Sequence, residues 1–301
     1  MGILKSLRKY FSEQAYYIGF LLPDEMNLSA LERFNSIHWL NLNGYKSGWF
    51  ADPFFISVSD RHIELLVEEW EYAKGKGRLC LLDIKRNDND FILENITPVL
   101  DLDTHLSFPI TIEENNKIYV YPENYESGTL KIYEYDSKEH RLKNPHTIIE
   151  LPLLDTQIVK NGFFYYAMGV EYKTGQHADT KRLQIFKSEN LLGPYKHMQV
   201  INNNFCEERG AGKIFANNGS VIRPTQCCEG DYGREVIFKV LDFQENNKLI
   251  QKEIGRVYPI CHKKYGMGIH TYNMMSGLCV IDGRDYRHRV LSRLVRFFLS
   301  K

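Results

Sequence analysis

The sequence predicts an all-β fold, a five-bladed β-propeller, from three observations. A two-strand pattern resembling a hairpin recurs five times along the 301 residues. The spacing between repeats is roughly 50 residues, which is typical of propeller blades. Long helical periodicity is absent between the repeats, and this argues against an alternation of strands and helices. A β-sandwich is the structural alternative, although it does not require such a recurrence.

Each repeat has a small or polar lead-in, an apolar run, a short break and a second apolar run. The first repeat is GWFADPFFISVSDRHIELLVEEW, and the others begin at Ser107, Asp155, Gly210 and Ile269. The breaks include Asn-Gly and Ser-Gly pairs, which favour tight hairpin turns because these residues tolerate positive φ. We therefore expect turns at 59–62, 115–117, 161–162, 217–219 and 276–277.

Further strand-like segments lie between the hairpins and predict the outer strands of each blade. They are RLCLLDI from Arg78, TLKIYEYD from Thr129, RLQIFKS from Arg182 and REVIFKVLDF from Arg234. A hairpin with one or two outer strands makes a four-stranded blade. The early segment AYYIGFLL, from Ala15, is expected to complete the last blade and close the ring.

Helical periodicity does occur at the two ends, so we divide the chain into three parts: a basic amphipathic helix (1–14), the propeller (15–283) and a second basic amphipathic helix (284–301). Such helices bind anionic membrane surfaces, but they also pack on the flank of a domain. No apolar stretch approaches the roughly 18 residues needed to span a bilayer. The expected location is cytoplasmic, with peripheral contact at the inner face of the membrane.

Composition excludes several classes of function. Lys and Arg balance Asp and Glu at 38 each, so no bulk attraction to a nucleic acid polymer is expected. The six cysteines are scattered without a CxxC pair, which indicates reduced thiols rather than a disulfide framework. Cys261-His262 lacks a second ligand pair at zinc spacing. We expect neither a metal nor a cofactor.

The inner strand of each propeller blade lines a central channel, and binding sites lie at one mouth of it. Equivalent positions of the repeats therefore face one another there. The heads of the predicted inner strands carry Asp52, Ser107, Asp155, Arg209 with Gly210, and His270. Two carboxylates, a cation and an imidazole in one pocket predict a chemical site, although each residue alone is also typical of a hairpin lead or cap.

More polar residues end the second strands or flank them, in EEW, HLSFP, YPEN and IRPTQ. Each of these is also consistent with an exposed strand end or a surface histidine. The expected catalytic residues are Asp52, Asp155 and Glu123. The expected substrate-binding residues are Arg209, Arg223, His105, Glu68, Gln226, His270 and Tyr232.

The set WFADPFF, EEW, HLSFP, YPEN, GAGKIF, IRPTQ and HTYN, with an Asp opening blades one and three, resembles the arabinanase/levansucrase/invertase-like five-bladed propellers. More specifically, it looks like the propeller domain of the glucosamine inositolphosphorylceramide transferase type, from Trp49 to Asp282. The resemblance implies a carbohydrate-active site in which Asp52 is the base or nucleophile and Asp155 orients the site and tunes pKa values.

One implied role does not transfer. The glycosidase members have a glutamic acid leading into blade four, but this chain has EERGAGKIF there, with Arg209 near the expected acid. Glu207 and Glu208 lie just upstream and reach the channel only if the loop bends inward. Arginine cannot donate a proton at neutral pH, although it can stabilise a negatively charged leaving group.

Three functions therefore stay open. The first is glycosyl transfer in surface polysaccharide or glycolipid biosynthesis, with Asp52 as base and a sugar donor linked to a nucleotide or a lipid. The second is glycoside hydrolysis, with Glu123, Glu68 or Glu208 as the acid. The third is a non-catalytic glycan-binding or scaffold propeller that assists a partner glycosyltransferase, because fold alone does not decide function.

Overall fold

The computed structural model describes residues 14–22, 37–173, 181–259 and 264–287. Within these residues the chain forms five antiparallel sheets arranged as propeller blades, which confirms the predicted fold class. The only helical element among them is a 3-10 turn at Tyr125–Ser127. Among the same residues, no helix has the length and apolar character needed to cross a membrane.

The strands follow the predicted repeats. The chain starts with β1 (Gln14–Leu21) and β2 (His38–Trp39). Blade one contains β3 (Gly48–Val58), β4 (His62–Glu71), β5 (Lys76–Asn87) and β6 (Asp90–Leu100). Blade two contains β7 (Ser107–Glu114), β8 (Lys117–Glu123), β9 (Leu130–Asp136) and β10 (Arg141–Ile149).

Blade three contains β11 (Leu153–Asn161), β12 (Phe164–Glu171), β13 (Arg182–Ser188) and β14 (Lys196–Asn202). Blade four contains β15 (Arg209–Gly210), β16 (Phe215–Asn217), β17 (Ser220–Cys227), β18 (Glu235–Gln244) and β19 (Lys248–Val257). Blade five begins with β20 (Gly268–Met275) and β21 (Leu278–Tyr286). The five predicted turns lie between β3 and β4, β7 and β8, β11 and β12, β16 and β17, and β20 and β21.

The first strand closes the ring, as the sequence predicts. Strand β1 pairs with β21 in antiparallel register along its whole length, from Gln14 opposite Tyr286 to Leu21 opposite Cys279. Strand β2 adds the outer edge, so blade five has the order β2-β1-β21-β20. The start and the end of the propeller therefore share one sheet.

The predicted boundary at 283–284 is wrong. Residues 284–286 continue β21 instead of starting a helix, because Arg284, Asp285 and Tyr286 pair with the first three residues of β1. Arg284 is 1% exposed and its guanidinium contacts Asp231 at 2.5 Å, so this basic residue does not face solvent. The remainder of both predicted terminal helices, 1–13 and 288–301, lies outside the described residues.

Buried apolar clusters lie between adjacent blades. In one of them, Phe20 of blade five stacks on Phe91 of blade one with ring centroids 4.0 Å apart. The other clusters join the remaining pairs of neighbours in the same way. The alternating apolar residues of the repeats thus fill the interfaces between sheets, which fixes the position of each inner strand around the channel.

The inner strands share a local irregularity. In β3, β7, β11 and β20 the pairing register shifts at the head of the strand. Asp52 and Asp155 lie in two of these bulges with φ of 50° and 42°, a left-handed conformation that aspartate adopts more readily than most residues. Bulges redirect side chains out of the usual alternation. The two carboxylates are thereby turned toward the channel mouth.

Candidate functional site

A cavity of about 500 Å³ lies at the mouth where the heads of the inner strands meet. It brings together eight of the ten predicted site residues: Asp52, Glu68, His105, Glu123, Asp155, Arg209, Tyr232 and His270. Ser107, also expected at an inner-strand head, lines the cavity too. Gln226 and Arg223 lie outside this lining. The structure thus brings the predicted heads of the inner strands to one cavity, and it leaves these two second-strand residues outside the lining.

Asp52 is buried on the blade-one side of the cavity. Its Oδ2 accepts the backbone N–H of Phe108 at 3.0 Å, and its Oδ1 accepts the Thr271 hydroxyl at 2.8 Å. Burial raises the pKa of Asp52 to about 6, an effect opposed by His270 and reinforced by Asp282 and other carboxylates. The pKa of this carboxyl group is therefore closer to neutral pH, where a general base is most effective.

His270 and Asp282 form a buried pair beside Asp52. The Nδ1 of His270 lies 2.6 Å from Asp282 Oδ2, and its Nε2 lies 3.9 Å from Asp52 Oδ1. Burial disfavours the charged ring, yet the carboxylates of Asp282 and Asp52 raise the pKa of His270 overall. The ring also stacks on Tyr16 with centroids 4.4 Å apart. The two carboxylates thus favour the positively charged form of His270 next to the candidate base.

Glu68 lies on β4, where its partner across the sheet is Ala51, the residue before Asp52. Its side chain lines the cavity, whereas neighbouring Glu69 is held elsewhere by the guanidinium of Arg78 at 2.7 Å. Burial, with the nearby negative charge of Asp52, raises the pKa of Glu68 well above its ordinary value. These surroundings favour the protonated form of Glu68, a carboxylic acid close to the candidate base.

Asp155, Glu123 and Arg209 form an ion-paired cluster on the opposite wall. Arg209 Nε donates to Asp155 Oδ2 at 2.5 Å, and its NH2 group donates to Glu123 Oε2 at 3.2 Å. Glu123 Oε2 also accepts the backbone N–H of Asp155 at 3.0 Å. Gln226 supports the cluster from behind, since its Nε2 donates to Asp155 Oδ2 at 2.9 Å. These contacts make Gln226 a positioning residue.

The charge of Arg209 is thus already balanced. Its two carboxylate partners satisfy the guanidinium edge that a phosphate would otherwise bind. Tyr232 covers the same group, with its ring centroid 5.1 Å from the guanidinium carbon, and is 41% exposed at the cavity rim. The pairing weakens the argument that Arg209 acts as an anion clamp.

Arg223 corrects a further expectation. Its side chain is fully buried and bonds to Glu208 Oε2 at 3.0 Å and to the Glu208 carbonyl at 2.7 Å. Lys239 adds a second cation to Glu208 at 2.9 Å. Arg223 therefore cannot contact substrate, and Glu208 cannot act as an acid there. Glu207 is likewise outside the cavity, where it pairs with Arg256 at 3.0 Å.

Sequence reasoning did not identify the aromatic wall of the cavity. Trp49 and Trp70 pair across β3 and β4, and their rings are parallel with centroids 5.6 Å apart. Tyr16 packs against Trp49 at 5.1 Å, and Tyr125 contributes to the other side. The two tryptophans flank the WFADPFF and EEW motifs. This placement was the available signal, although β-core packing explains such residues equally well.

Asp52, His270 and Asp282 also have donor atoms close enough together to surround a cation, all within 4.8 Å of one another. The carboxylates of Asp52 and Asp282 already accept hydrogen bonds from the backbone, and a protonated His270 ring cannot ligate a metal. The arrangement of these three residues therefore suits a hydrogen-bonded network that shares protons better than it suits a metal centre.

Solved structures with a similar fold have little sequence similarity to this chain. The α-L-arabinanase of Cellvibrio cellulosa, solved with arabinohexaose, matches with a TM-score of 0.52 and 12% identity, covering 67% of this chain and 77% of that one. The β-xylosidase RS223 matches with a TM-score of 0.54 and 12% identity, covering 71% and 78%. These similarities support the fold.

The curated relatives are proteins called glucosamine inositolphosphorylceramide transferase 1. The one from Oryza sativa subsp. japonica is 26% identical over 215 residues, 70% of this chain and 28% of the relative. The one from Arabidopsis thaliana is 28% identical over 198 residues, 64% and 26%. The matches therefore span only about a quarter of each relative.

A family model described as "Glucosamine inositolphosphorylceramide transferase 1, N-terminal" matches residues 37–273, a range that contains most of the propeller and every cavity residue except Tyr16. Since this match covers well over half of the sequence, the chain belongs to that family.

Proposed function

We propose that the cavity binds a carbohydrate and that the protein performs glycosyl transfer in surface polysaccharide or glycolipid assembly, with Asp52 as the base. The observation that carries the proposal is the position of Asp52, buried in an open cavity with a pKa of about 6. Such a carboxylate can take the proton of an acceptor hydroxyl at neutral pH. The name of the relatives, glucosamine inositolphosphorylceramide transferase 1, agrees with this proposal.

The walls of the cavity suit a sugar. Trp49, Trp70 and Tyr16 offer aromatic faces, and the carboxyl groups around them offer hydrogen-bond acceptors and donors for hydroxyls. Apolar faces combined with convergent polar groups are typical of small-molecule sites. Two proteins of similar fold were solved in complex with sugars, an arabinanase with arabinohexaose and a β-xylosidase/α-arabinofuranosidase with xylotriose. These complexes are consistent with sugar binding by the propeller.

Asp52→Asn tests the catalytic part of the proposal. Asparagine retains an acceptor oxygen and tolerates the same backbone conformation, so the fold should be unchanged. Turnover should fall by about 10²- to 10⁴-fold, the usual contribution of a general base. The assay compares transfer by wild type, Asp52→Asn and the exposed control Asp242→Asn, with glycan arrays supplying acceptors. Unchanged turnover in Asp52→Asn would refute the assignment.

Hydrolysis is the second candidate, and the observation that favours it is the presence of further carboxyl groups, Glu68 and Glu123, in the same cavity as Asp52. Acid and base carboxyls are the requirement for cleaving a glycosidic bond. Product analysis separates the two reactions, because hydrolysis releases a reducing sugar and transfer releases a new glycoside. The third candidate, a glycan-binding scaffold, predicts that wild type binds a glycan tightly without turning it over. Asp52→Asn would then have no turnover to lose.

Peripheral membrane contact and a cytoplasmic location stay part of the proposal, supported by the basic residues at the two ends of the sequence. Deleting 288–301 should reduce cosedimentation with vesicles containing anionic phospholipid, while vesicles of neutral phosphatidylcholine serve as the control. Vesicle binding that is unaffected by the deletion would contradict this role. A partner glycosyltransferase is testable by copurification of the intact protein.

A further inference from the structure

Glu68 is part of a small unit with His105 and Gly77. The backbone N–H of Gly77 donates to His105 Nδ1 at 2.9 Å. Because Nδ1 accepts this bond, the neutral imidazole carries its proton on Nε2. That nitrogen lies 3.7 Å from Glu68 Oε1. Burial lowers the pKa of His105, which favours the neutral ring and this single tautomer.

Gly77 is required by the packing of this unit. A Cβ at position 77 would lie 2.6 Å from Glu68 Oε1, 2.7 Å from His105 Cε1 and 2.6 Å from the carbonyl oxygen of Leu106. Real Cβ atoms do not approach other atoms so closely, so any other residue would push the two side chains apart. The close approach of Glu68 and His105 therefore depends on glycine at this position.

The surroundings of Glu68 favour its protonated form. In the described part of the chain no lysine or arginine comes within ion-pair distance of its carboxyl, and His105 is the one basic group that does. Burial is the main reason that its pKa is raised, and every charged group that adds to it is a carboxylate. These carboxylates belong to Asp52, Glu123, Asp282 and Asp155.

We infer that Glu68 is the proton donor to the leaving group, that His105 positions it, and that the sugar donor is a glycoside with an alcohol leaving group. The inference rests on the function proposed above. The Nε2 of His105 lies 3.7 Å from Oε1, and both side chains line the cavity, so His105 sits beside the carboxyl group that would give up the proton. The acid and the base then come from one blade, on paired strands β4 and β3.

The step balances as follows. Glu68 gives its proton to the glycosidic oxygen as the bond between that oxygen and the anomeric carbon breaks, and the electron pair goes to the oxygen. Asp52 takes the proton of the acceptor hydroxyl as the new bond to the anomeric carbon forms. One glycoside and one alcohol become another glycoside and another alcohol. Proton exchange with solvent returns both carboxyls to their starting states.

Two observations favour this donor class over nucleotide sugars. A nucleoside diphosphate leaves as an anion and needs no acid, whereas an alcohol leaving group does. The cavity also offers little for a phosphate, because Asp155 and Glu123 already occupy the guanidinium of Arg209. Glu123 is a weaker candidate for the acid, since its Oε2 accepts two hydrogen bonds that fix it as an acceptor.

Glu68→Gln tests the inference with a pair of substrates. On methyl glycosides of a pentose and hexose panel, whose alcohol leaving group needs a proton, the variant should lose about 10²- to 10⁴-fold in kcat, the usual contribution of general acid catalysis. On the matching 2,4-dinitrophenyl glycosides, whose leaving group needs no proton, the loss should be below about 10-fold. The exposed Glu94→Gln is the matched control. Equal losses on both substrates would overturn the inference.

A second measurement needs no substrate. In protein carrying ¹³C-labelled glutamate side chains, the signal missing from Glu68→Gln identifies Glu68, and its chemical shift should report a pKa well above the ordinary range of glutamate. Titration near the ordinary pH of glutamate would overturn the inference whether or not the protein is an enzyme. Failure of wild type to turn over or bind any glycoside would refute the proposed function instead, and the titration still decides the state of Glu68.

His105→Phe tests the positioning role. The variant should lower kcat on methyl glycosides with little change in KM, and it should shift the alkaline limb of the pH profile, since that limb reports ionisation of the acid. His105→Gln, which retains a donor near the position of Nε2, should restore part of kcat. A variant that loses only stability, with an unchanged pH profile, would show that His105 does not act through Glu68.

Discussion

The carboxylate of Asp282, in the last blade, accepts the backbone N–H of Asp52, in the first blade, at 3.0 Å. The same carboxylate accepts the backbone N–H groups of His270 and Thr271 at 3.2 and 2.9 Å. His270 and the Thr271 hydroxyl contact Asp52 in turn. The candidate base is therefore fixed by the seam that closes the propeller, so the geometry of the site depends on ring closure.

Asp282→Asn should destabilise the protein. Asparagine replaces one acceptor oxygen by an NH₂ group, which would face a backbone N–H or the His270 ring and leave a buried donor unsatisfied. An unsatisfied buried donor costs about 1–3 kcal/mol. Urea unfolding should report this loss of free energy of unfolding. The exposed Asp242→Asn controls for the substitution type, and a variant as stable as wild type would contradict the role of Asp282 in the seam.

Asp52 should make stability depend on pH in a recognisable direction. Its pKa is raised from 3.8 to about 6 on folding, so between these values the native state binds more protons than the unfolded state. Wild type therefore loses stability as pH rises through this window. Asp52→Asn lacks this loss, and its melting temperature relative to wild type should increase from pH 4 to pH 7. A difference that stays constant across this range would contradict the raised pKa.

Trp70→Ala should weaken sugar binding. Removing one aromatic face costs about 0.5–1.5 kcal/mol, which corresponds to roughly a 3- to 10-fold increase in Kd. Two of the three tryptophans line the cavity, so quenching of intrinsic fluorescence provides the measurement. Trp39→Phe, in β2 at the outer edge of blade five, is the control. If Trp70→Ala and wild type show equal quenching and equal affinity for the sugar, the sugar binds elsewhere.

Arg223→Met should unfold the protein more easily without changing its binding of sugar. The substitution leaves Glu208 buried with Lys239 as its remaining cation, and breaking a buried pair costs about 3–5 kcal/mol. Changing both partners, as Arg223→Met with Glu208→Gln, should recover part of that loss. Denaturant unfolding and sugar affinity, measured on the same preparations, separate a structural role from a binding role. A selective loss of affinity would restore Arg223 as a substrate contact.

Local patterns in the sequence were sufficient to predict the strands and turns of the blades. The alternation of apolar residues and the Asn-Gly and Ser-Gly turns predict hairpins because both act over a few neighbouring residues. Their recurrence then implies a ring, and the ring implies that Asp52, Asp155 and His270 meet at one mouth. Closure by the segment from Ala15 followed from the same count, since one blade lacked a strand.

The partners of the charged groups depended on tertiary structure. Whether Arg209 faces a ligand or two carboxylates depends on Asp155 and Glu123, which lie 54 and 86 residues away in sequence. Whether Arg223 lines the cavity depends on the side of its strand from which the side chain extends. In the folded chain that side faces Glu208. The single-residue bulges that redirect Asp52 and Asp155 leave no clear sequence signal, because a proline and a threonine follow them without a common pattern.

The sequence by itself therefore determined that this chain is a closed five-bladed propeller with acidic residues at the channel mouth, because repetition of a short pattern encodes that geometry. Tertiary structure alone decided which acids have a raised pKa and which cation is already paired. Those properties arise from burial and from charges brought together by distant strands, and a linear pattern contains neither.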